Sequence, residues 1–311
     1  MHKVLNDNLL RFLFNIILCL FISNSVLAQQ SKGNFFKTAD TLQIKRLHTV
    51  VLTESVVGSA TLIGLNQIWY ADYPRSQFHF INDNNEWLQM DKMGHVFSSY
   101  QLGRFGANAI KWSGSSKKSQ LLYGATLGLA FQSAVEVFDG FSSNWGASMG
   151  DVLANVSGTA LYVSQELVWH EQRIIPKFSF HATRYASLRP DVLGSSIQEQ
   201  ILKDYNGQTY WLSANIYSFT KAKEFPKWLN LALGYGAEGM ISGDASTMVY
   251  NTDQLNRYRQ FYISFDVDLT KIESKSHFIK TLLSVFNTIK IPAPTFEIKG
   301  NGGARLHLIY F

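Results

Sequence analysis

At 311 residues the chain is long enough for one large domain or two of ordinary size, either with a substantial core. Its composition is 46% hydrophobic and 14% aromatic with only 16% charged residues, against about 25% charged in ordinary soluble domains, which points to membrane contact or unusually extensive burial. The net charge of +5 is small for this length and forms no basic tract interleaved with aromatics, so nucleic acid is excluded as a partner.

Residues 1–28 carry Lys3 and Arg11, then the apolar run from Phe12 to Ile22, then Val26-Leu27-Ala28 with small residues suited to cleavage. This predicts a secretory signal peptide and an exported chain. The single cysteine, Cys19, lies inside that run behind Leu18, whereas a lipid-attachment cysteine normally follows a small residue. The mature chain therefore has no cysteine, which removes disulfides, thiolate catalysis and cysteine metal sites. Residues 29–45 are polar and read as a linker.

A helical region is predicted over 46–172. Its first segment, residues 47–70, is a long apolar helix interrupted by Glu54, followed by a loop with Pro74 and an Asn/Asp cluster. A second helix is expected from Leu88 to Trp112. The third segment, residues 121–141, is nearly continuous apolar sequence with Gly124 and Gly128 at small-xxx-small spacing, and Asp139-Gly140 ends it. The fourth, residues 151–169, mixes apolar and small residues. Each stretch approaches the length needed to span a bilayer, about 18 to 20 residues, and none is uniformly apolar.

After Pro176 the period changes to that of strands, most clearly where Phe261, Ile263, Phe265, Val267 and Leu269 alternate with Tyr262, Ser264, Asp266 and Asp268. Strands are also expected in 178–188, 209–220, 228–242 and 302–311. Residues 277–289 read as a short amphipathic helix. Asp204-Tyr-Asn-Gly207 reads as the turn of a hairpin, although Tyr205, Tyr210 and Trp211 could stack on a sugar ring. The expected fold is α+β: an N-terminal four-helix, membrane-associated bundle followed by an antiparallel β-rich domain over 176–311.

The polar residues inside the apolar helices are Asp91, His95, Glu136, Asp139, Asp151 and Asn155. Asp91 and His95 are an i,i+4 pair, as are Gln132 and Glu136; Asp151, Asn155 and Gly158 form a stripe at i, i+4 and i+7. A bundle that joined these stripes could place His95 as acid or base, since its unperturbed pKa is about 6.5. Glu136 or Asp151 would orient it, with Asn155 in the same tentative set. A hard divalent metal held by the carboxylates and the imidazole is the alternative; neither a metal nor a cofactor is specified. The plainer reading is structural: Ser148 and Asp151 stand at capping-box spacing, and Asp91 suits a helix N-terminus.

The DKMGH, EVFDG and SMGDVLANVSG stretches together resemble the YfiM-like family of predicted periplasmic lipoproteins, which is of unknown function. More distantly they resemble VanZ-like membrane proteins, where an Asp and a His on one helix precede a Glu helix and a D-x-x-x-N-x-x-G helix. The matching positions are Asp91, His95, Glu136, Asp151, Asn155 and Gly158, within about residues 50 to 170. The aromatic-rich strands ending in LIYF resemble outer-membrane β-proteins. These likenesses imply an envelope protein at the outer membrane or the periplasmic face of a membrane. Membrane lipid is the implied partner, with an envelope protein or a glycan as a further one. The role expected is structural or binding; the alternative is a membrane-embedded enzyme acting on a lipid or glycan-linked substrate.

Overall fold

The computed structural model describes residues 35–70, 73–244 and 255–311. The expected signal peptide and residues 29–34 of the linker lie outside the described residues. The chain mixes helices with an antiparallel sheet and divides into two compact units. One comprises residues 1–81 and 102–152, the other residues 82–101 and 153–311.

In the first unit, α1 spans Ile44–Leu65 and runs on as a wider turn over Asn66–Tyr70. Only Val50 and Gly64 of α1 are buried. Two short strands, β1 (Phe80–Ile81) and β2 (Ala147–Ser148), pair in parallel. The second helix, α2, spans Met90–Trp112, starting two residues later than the expected Leu88 and continuing across both units. α3 spans Leu127–Gly140 and follows a wider turn at Gln120–Gly124. Gly103 and Gly124 let backbones meet here: a Cβ on Gly103 would stand 2.4 Å from the Ala125 carbonyl oxygen, and one on Gly124 2.5 Å from Ala107 Cα. α4 spans Met149–Val168, and the Ser148 hydroxyl caps it by accepting from the amides of Gly150 (3.1 Å) and Asp151 (3.3 Å). Ser148 therefore caps α4, and its own amide donates to Glu136 Oε2 at 3.0 Å, the role a capping box would give to Asp151.

The second unit is built on six antiparallel strands in the order β3-β4-β5-β6-β7-β8. They are β3 (Ile174–Phe180), β4 (Gln208–Asn215), β5 (Leu229–Glu238), β6 (Tyr258–Val267), β7 (Ala293–Lys299) and β8 (Ala304–Tyr310). Each strand pairs with the next in sequence, so the topology is a simple meander. The expected strand at 178–188 ends at Phe180, and Tyr185–Leu188 turns helical. Asp204–Gly207 is a turn but not a hairpin: it joins a short helix, Ile197–Lys203, to β4. The Asp204 carboxylate accepts from the Asn206 backbone amide (3.1 Å) and side chain (2.7 Å), the local bonding that favours such turns. The amphipathic helix is α5, His277–Phe286, capped by Ser276.

One apolar cluster of this unit gathers Met90, Tyr210, Ala237 and Met240 with Met93, Phe97, Phe178 and Tyr235. It packs the first turns of α2 onto the β3–β5 end of the sheet. A fully buried side chain of this kind contributes about 1.5–3 kcal/mol.

Candidate functional site

Three consecutive residues ahead of α2 adopt left-handed backbone: Trp87 (φ 46°, ψ 24°), Leu88 (φ 51°, ψ 35°) and Gln89 (φ 65°). Each costs about 1–2 kcal/mol for a side chain with a Cβ. Tertiary bonds hold the turn in place. The Trp87 amide donates to Gly243 O at 2.7 Å, Arg259 Nη2 donates to Gln89 Oε1 at 2.6 Å, and the Tyr235 hydroxyl donates to Leu88 O. The turn delivers Met90 to the core, fully buried, and starts α2 with Asp91 in its first turn.

Asp91, His95 and Ser99 then occupy one face of α2 at i,i+4 spacing. The opposing element is α4, which approaches closely because position 158 is glycine: a Cβ there would lie 2.2 Å from Val96 O. One turn earlier on α4, Asn155 Oδ1 accepts from Ser99 Oγ at 3.0 Å and lies 3.0 Å from His95 Nδ1. An oxygen acceptor at that position fixes the tautomer: Nδ1 carries the hydrogen, and Nε2 keeps its lone pair when the ring is neutral. Nε2 stands 3.8 Å from Asp91 Oδ1. Asn155 is fully buried, and its Nδ2 has no acceptor among the described residues.

Asp91 is heavily compensated. Tyr205 OH donates to its Oδ1 at 2.8 Å, and Lys92 Nζ lies 3.3 Å from Oδ2 while pairing with Asp83 at 2.6 Å. Burial alone pushes the Asp91 carboxyl up; the charges of His95 and Lys92 and the Tyr205 bond outweigh it and hold the group below its ordinary range. Because the folded value is depressed, the stability this carboxylate contributes is present above the ordinary carboxylate pKa near 3.9 and is lost as pH falls through the folded value. Tyr205→Phe is expected to destabilise by about 1.5–3 kcal/mol, the worth of a hydrogen bond to a charged group. It should also move the acid-unfolding midpoint to higher pH. Coincident acid titrations of the two proteins, followed by tryptophan fluorescence, would show that Tyr205 does not support Asp91.

Of the five residues singled out in the sequence, Asp91, His95 and Asn155 come together in the second unit. Glu136 and Asp151 belong to the first, where both are buried; Glu136 Oε2 accepts from the Ser148 amide at 3.0 Å, beside the cap of α4. Asp139 accepts from Tyr70 OH at 2.6 Å, also in the first unit. Asp91 Oδ1 and His95 Nε2 have a separation that two ligands of one ion can adopt, and neutral His95 has the tautomer a ligand needs. Lys92 shares its ammonium between Asp83 at 2.6 Å and Asp91 at 3.3 Å.

Tyr205, Ser99 and Asp83 are absent from the sequence-derived set. Ser99 was detectable as the next i+4 member of the Asp91–His95 stripe; Tyr205 arrives from 114 residues away with no local signal. Tyr210 and Trp211 are buried, so neither offers a ring to a sugar.

The second unit thus carries a partly buried acid–imidazole pair backed by a buried amide, beside an antiparallel sheet. Residues 79–165 match the family described as predicted periplasmic lipoprotein (DUF2279), and this match supports an exported, periplasmic location. The matched stretch contains Asp91, His95, Glu136, Asp151 and Asn155. No curated protein and no solved structure matches the chain.

Proposed function

We propose that the protein is a membrane-associated component of the cell envelope with a structural or binding role, in which α1 to α4 form a bundle in contact with lipid. The observation that carries this reading is α1. It is predominantly apolar after its first turn, yet Val51 is 51%, Leu52 66% and Ile63 61% exposed. Apolar side chains left this bare along a 22-residue helix need a non-aqueous neighbour. α1 and the stretch Lys117–Gly140 are each long and apolar enough to cross a bilayer. In this reading the Asp91–His95–Asn155 cluster fixes how α2 and α4 pack.

A second reading, an enzyme acting on a lipid or glycan-linked substrate, is favoured by one observation. Asn155 Oδ1 orients the His95 ring through Nδ1, and Nε2 faces Asp91 Oδ1 at 3.8 Å, an acid–imidazole pair of the kind that moves protons. The VanZ-like likeness makes envelope lipids the first substrates to try.

Carbonate extraction of membranes tests the first reading: the protein is expected to stay in the pellet, and its release would refute lipid contact by the helices. His95→Gln separates the two readings. The structural role predicts a fall in abundance along with function, and the catalytic role predicts normal abundance with function lost.

A further inference from the structure

We propose that the outer face of the six-stranded sheet is seated against the hydrocarbon of a lipid bilayer, with the opposite, polar face as a screened interior. This deepens the membrane association proposed above and rests on it. The sheet is inverted relative to one that folds in water, where a single wet face is polar and the covered face apolar.

Strand register places Leu212, Leu233, Ile263, Phe296 and Leu306 side by side across β4 to β8. They are 41%, 55%, 46%, 43% and 67% exposed. The next row holds Leu231 against Phe265, both likewise exposed. On the other face Lys177, Trp211, Tyr262 and Glu297 are neighbours across β3, β4, β6 and β7, and all are buried. That interior is polar and satisfied: Lys177 pairs with Asp266 at 2.8 Å, Gln260 donates to Glu297 at 2.8 Å, His307 meets Glu297 at 2.7 Å, and Asn230 donates to Ser213 at 2.8 Å. Apolar-out, polar-in alternation is what lipid on one side and a hydrated or hydrogen-bonded lumen on the other select. β5 and β6, with 10 residues each, fall in the range of about 9–11 that a tilted strand needs to cross the apolar layer.

Exposed strand edges are excluded from hydrocarbon because nothing there satisfies the backbone. The free edge of β3 is met by the segment leading into β7: the Phe178 amide donates to Thr288 O and the Lys290 amide to Phe178 O, both at 2.9 Å. The sheet also curls on itself. Tyr310 of β8 reaches Thr209 of β4 at 3.1 Å, and its ring lies 6.1 Å from that of His181, just past β3.

α5 is a second apolar element of the same unit. It exposes Phe278, Leu282, Val285 and Phe286, carries Lys280, has Lys275 just before it, and contains no acidic residue. Asn287 ties it to the end of β6 through Asp268 at 3.2 Å. An apolar stripe flanked by lysines complements the interface of an anionic leaflet.

The test uses the full chain with Cys19→Ser and one new cysteine at a time, Ile263→Cys or Leu306→Cys on the apolar face and Asn301→Cys in the β7–β8 turn. Each carries an environment-sensitive fluorophore and is reconstituted into phosphatidylethanolamine–phosphatidylglycerol vesicles, with and without chain-brominated lipid. The labels at 263 and 306 should shift to the blue, be quenched by brominated chains and resist aqueous iodide, whereas the label at 301 should be open to iodide. Iodide quenching at 263 and 306 in protein that floats with the vesicles overturns the sheet inference and leaves membrane association standing. Shielding that appears without lipid and grows with protein concentration overturns it in favour of a second copy. Protein that does not float overturns both readings.

Discussion

Asp266→Asn is expected to lower the unfolding free energy by about 3–5 kcal/mol, the cost of breaking a buried ion pair from one side. Asp266 Oδ2 accepts from Ser213 at 2.6 Å and pairs with Lys177 at 2.8 Å; Oδ1 accepts from the Ile291 amide at 3.0 Å and lies 3.9 Å from Lys290. The side chains of Lys177, Lys290 and Asp266 are all 0% exposed. Neutralising the one carboxylate removes the negative charge that the two buried ammonium groups share; Val267 O accepts from Lys177, and the carbonyl oxygens of Phe265 and Ile291 accept from Lys290. The comparison is Lys271→Met, which removes a partly exposed pair with Glu171 at 3.0 Å. Such pairs contribute about 0–1 kcal/mol. Urea unfolding can be followed by tryptophan fluorescence, to which Trp211, its ring 5.1 Å from Lys290 Nζ, contributes. Equal midpoints for the two variants would mean that the sheet interior does not depend on its central charge.

Gly158→Ala is the second large effect, and its sign runs against helix propensity. In an unobstructed helix interior the change gains about 1 kcal/mol. Here the new Cβ would meet Val96 O at 2.2 Å, Val96 C at 3.0 Å and Ser99 Cβ at 3.1 Å. Two of the three obstacles are backbone atoms, so α2 must move, and overpacking of this kind costs about 1–3 kcal/mol. Val96 adjoins His95, and Ser99 shares the Asn155 acceptor with it, so the displacement also opens the cluster. Gly58→Ala on α1 is the control, since its Cβ meets nothing within 4 Å. A Gly158→Ala protein as stable as the Gly58→Ala protein would show that α2 and α4 are not in close contact.

The sequence makes the helices legible because their apolar runs are long and punctuated, by Pro74, by Asp139-Gly140 and by the Ser148 cap. Their ends shift where the backbone departs from a plain α-helix, at Asn66–Tyr70 and at Trp87–Gln89. The stripes on α2 and α4 put Asp91 and His95 on one face and Asp151 and Asn155 on another, since i,i+4 spacing fixes a face, and His95 Nδ1 lies 3.0 Å from Asn155 Oδ1. Periodicity says nothing about which helix a face meets, so Glu136 and Asp151 could not be assigned in advance. In the sheet, β7 was hidden by Pro292 and Pro294, which interrupt the alternation at its start. The alternation at Phe261 to Asp268 reveals two faces without saying which one is covered. Phe261, Ile263 and Phe265 turn out to be the exposed ones and Tyr262, Ser264 and Asp266 the buried ones.

The left-handed turn at Trp87–Gln89 makes the cluster a tenant of the sheet. Its three strained residues are kept in place by Gly243 and by Tyr235 and Arg259 of β5 and β6, while Tyr205 secures Asp91 from the approach to β4. A chain cut after Val168 would retain all five residues of the candidate set and the whole stretch that resembles a family. It would lose every one of these clamps, freeing the turn to relax toward ordinary backbone and the start of α2 to swing. The helical segment is therefore not a portable module: its chemistry is spelled in residues 91–155, and its geometry is written by strands more than 50 positions downstream.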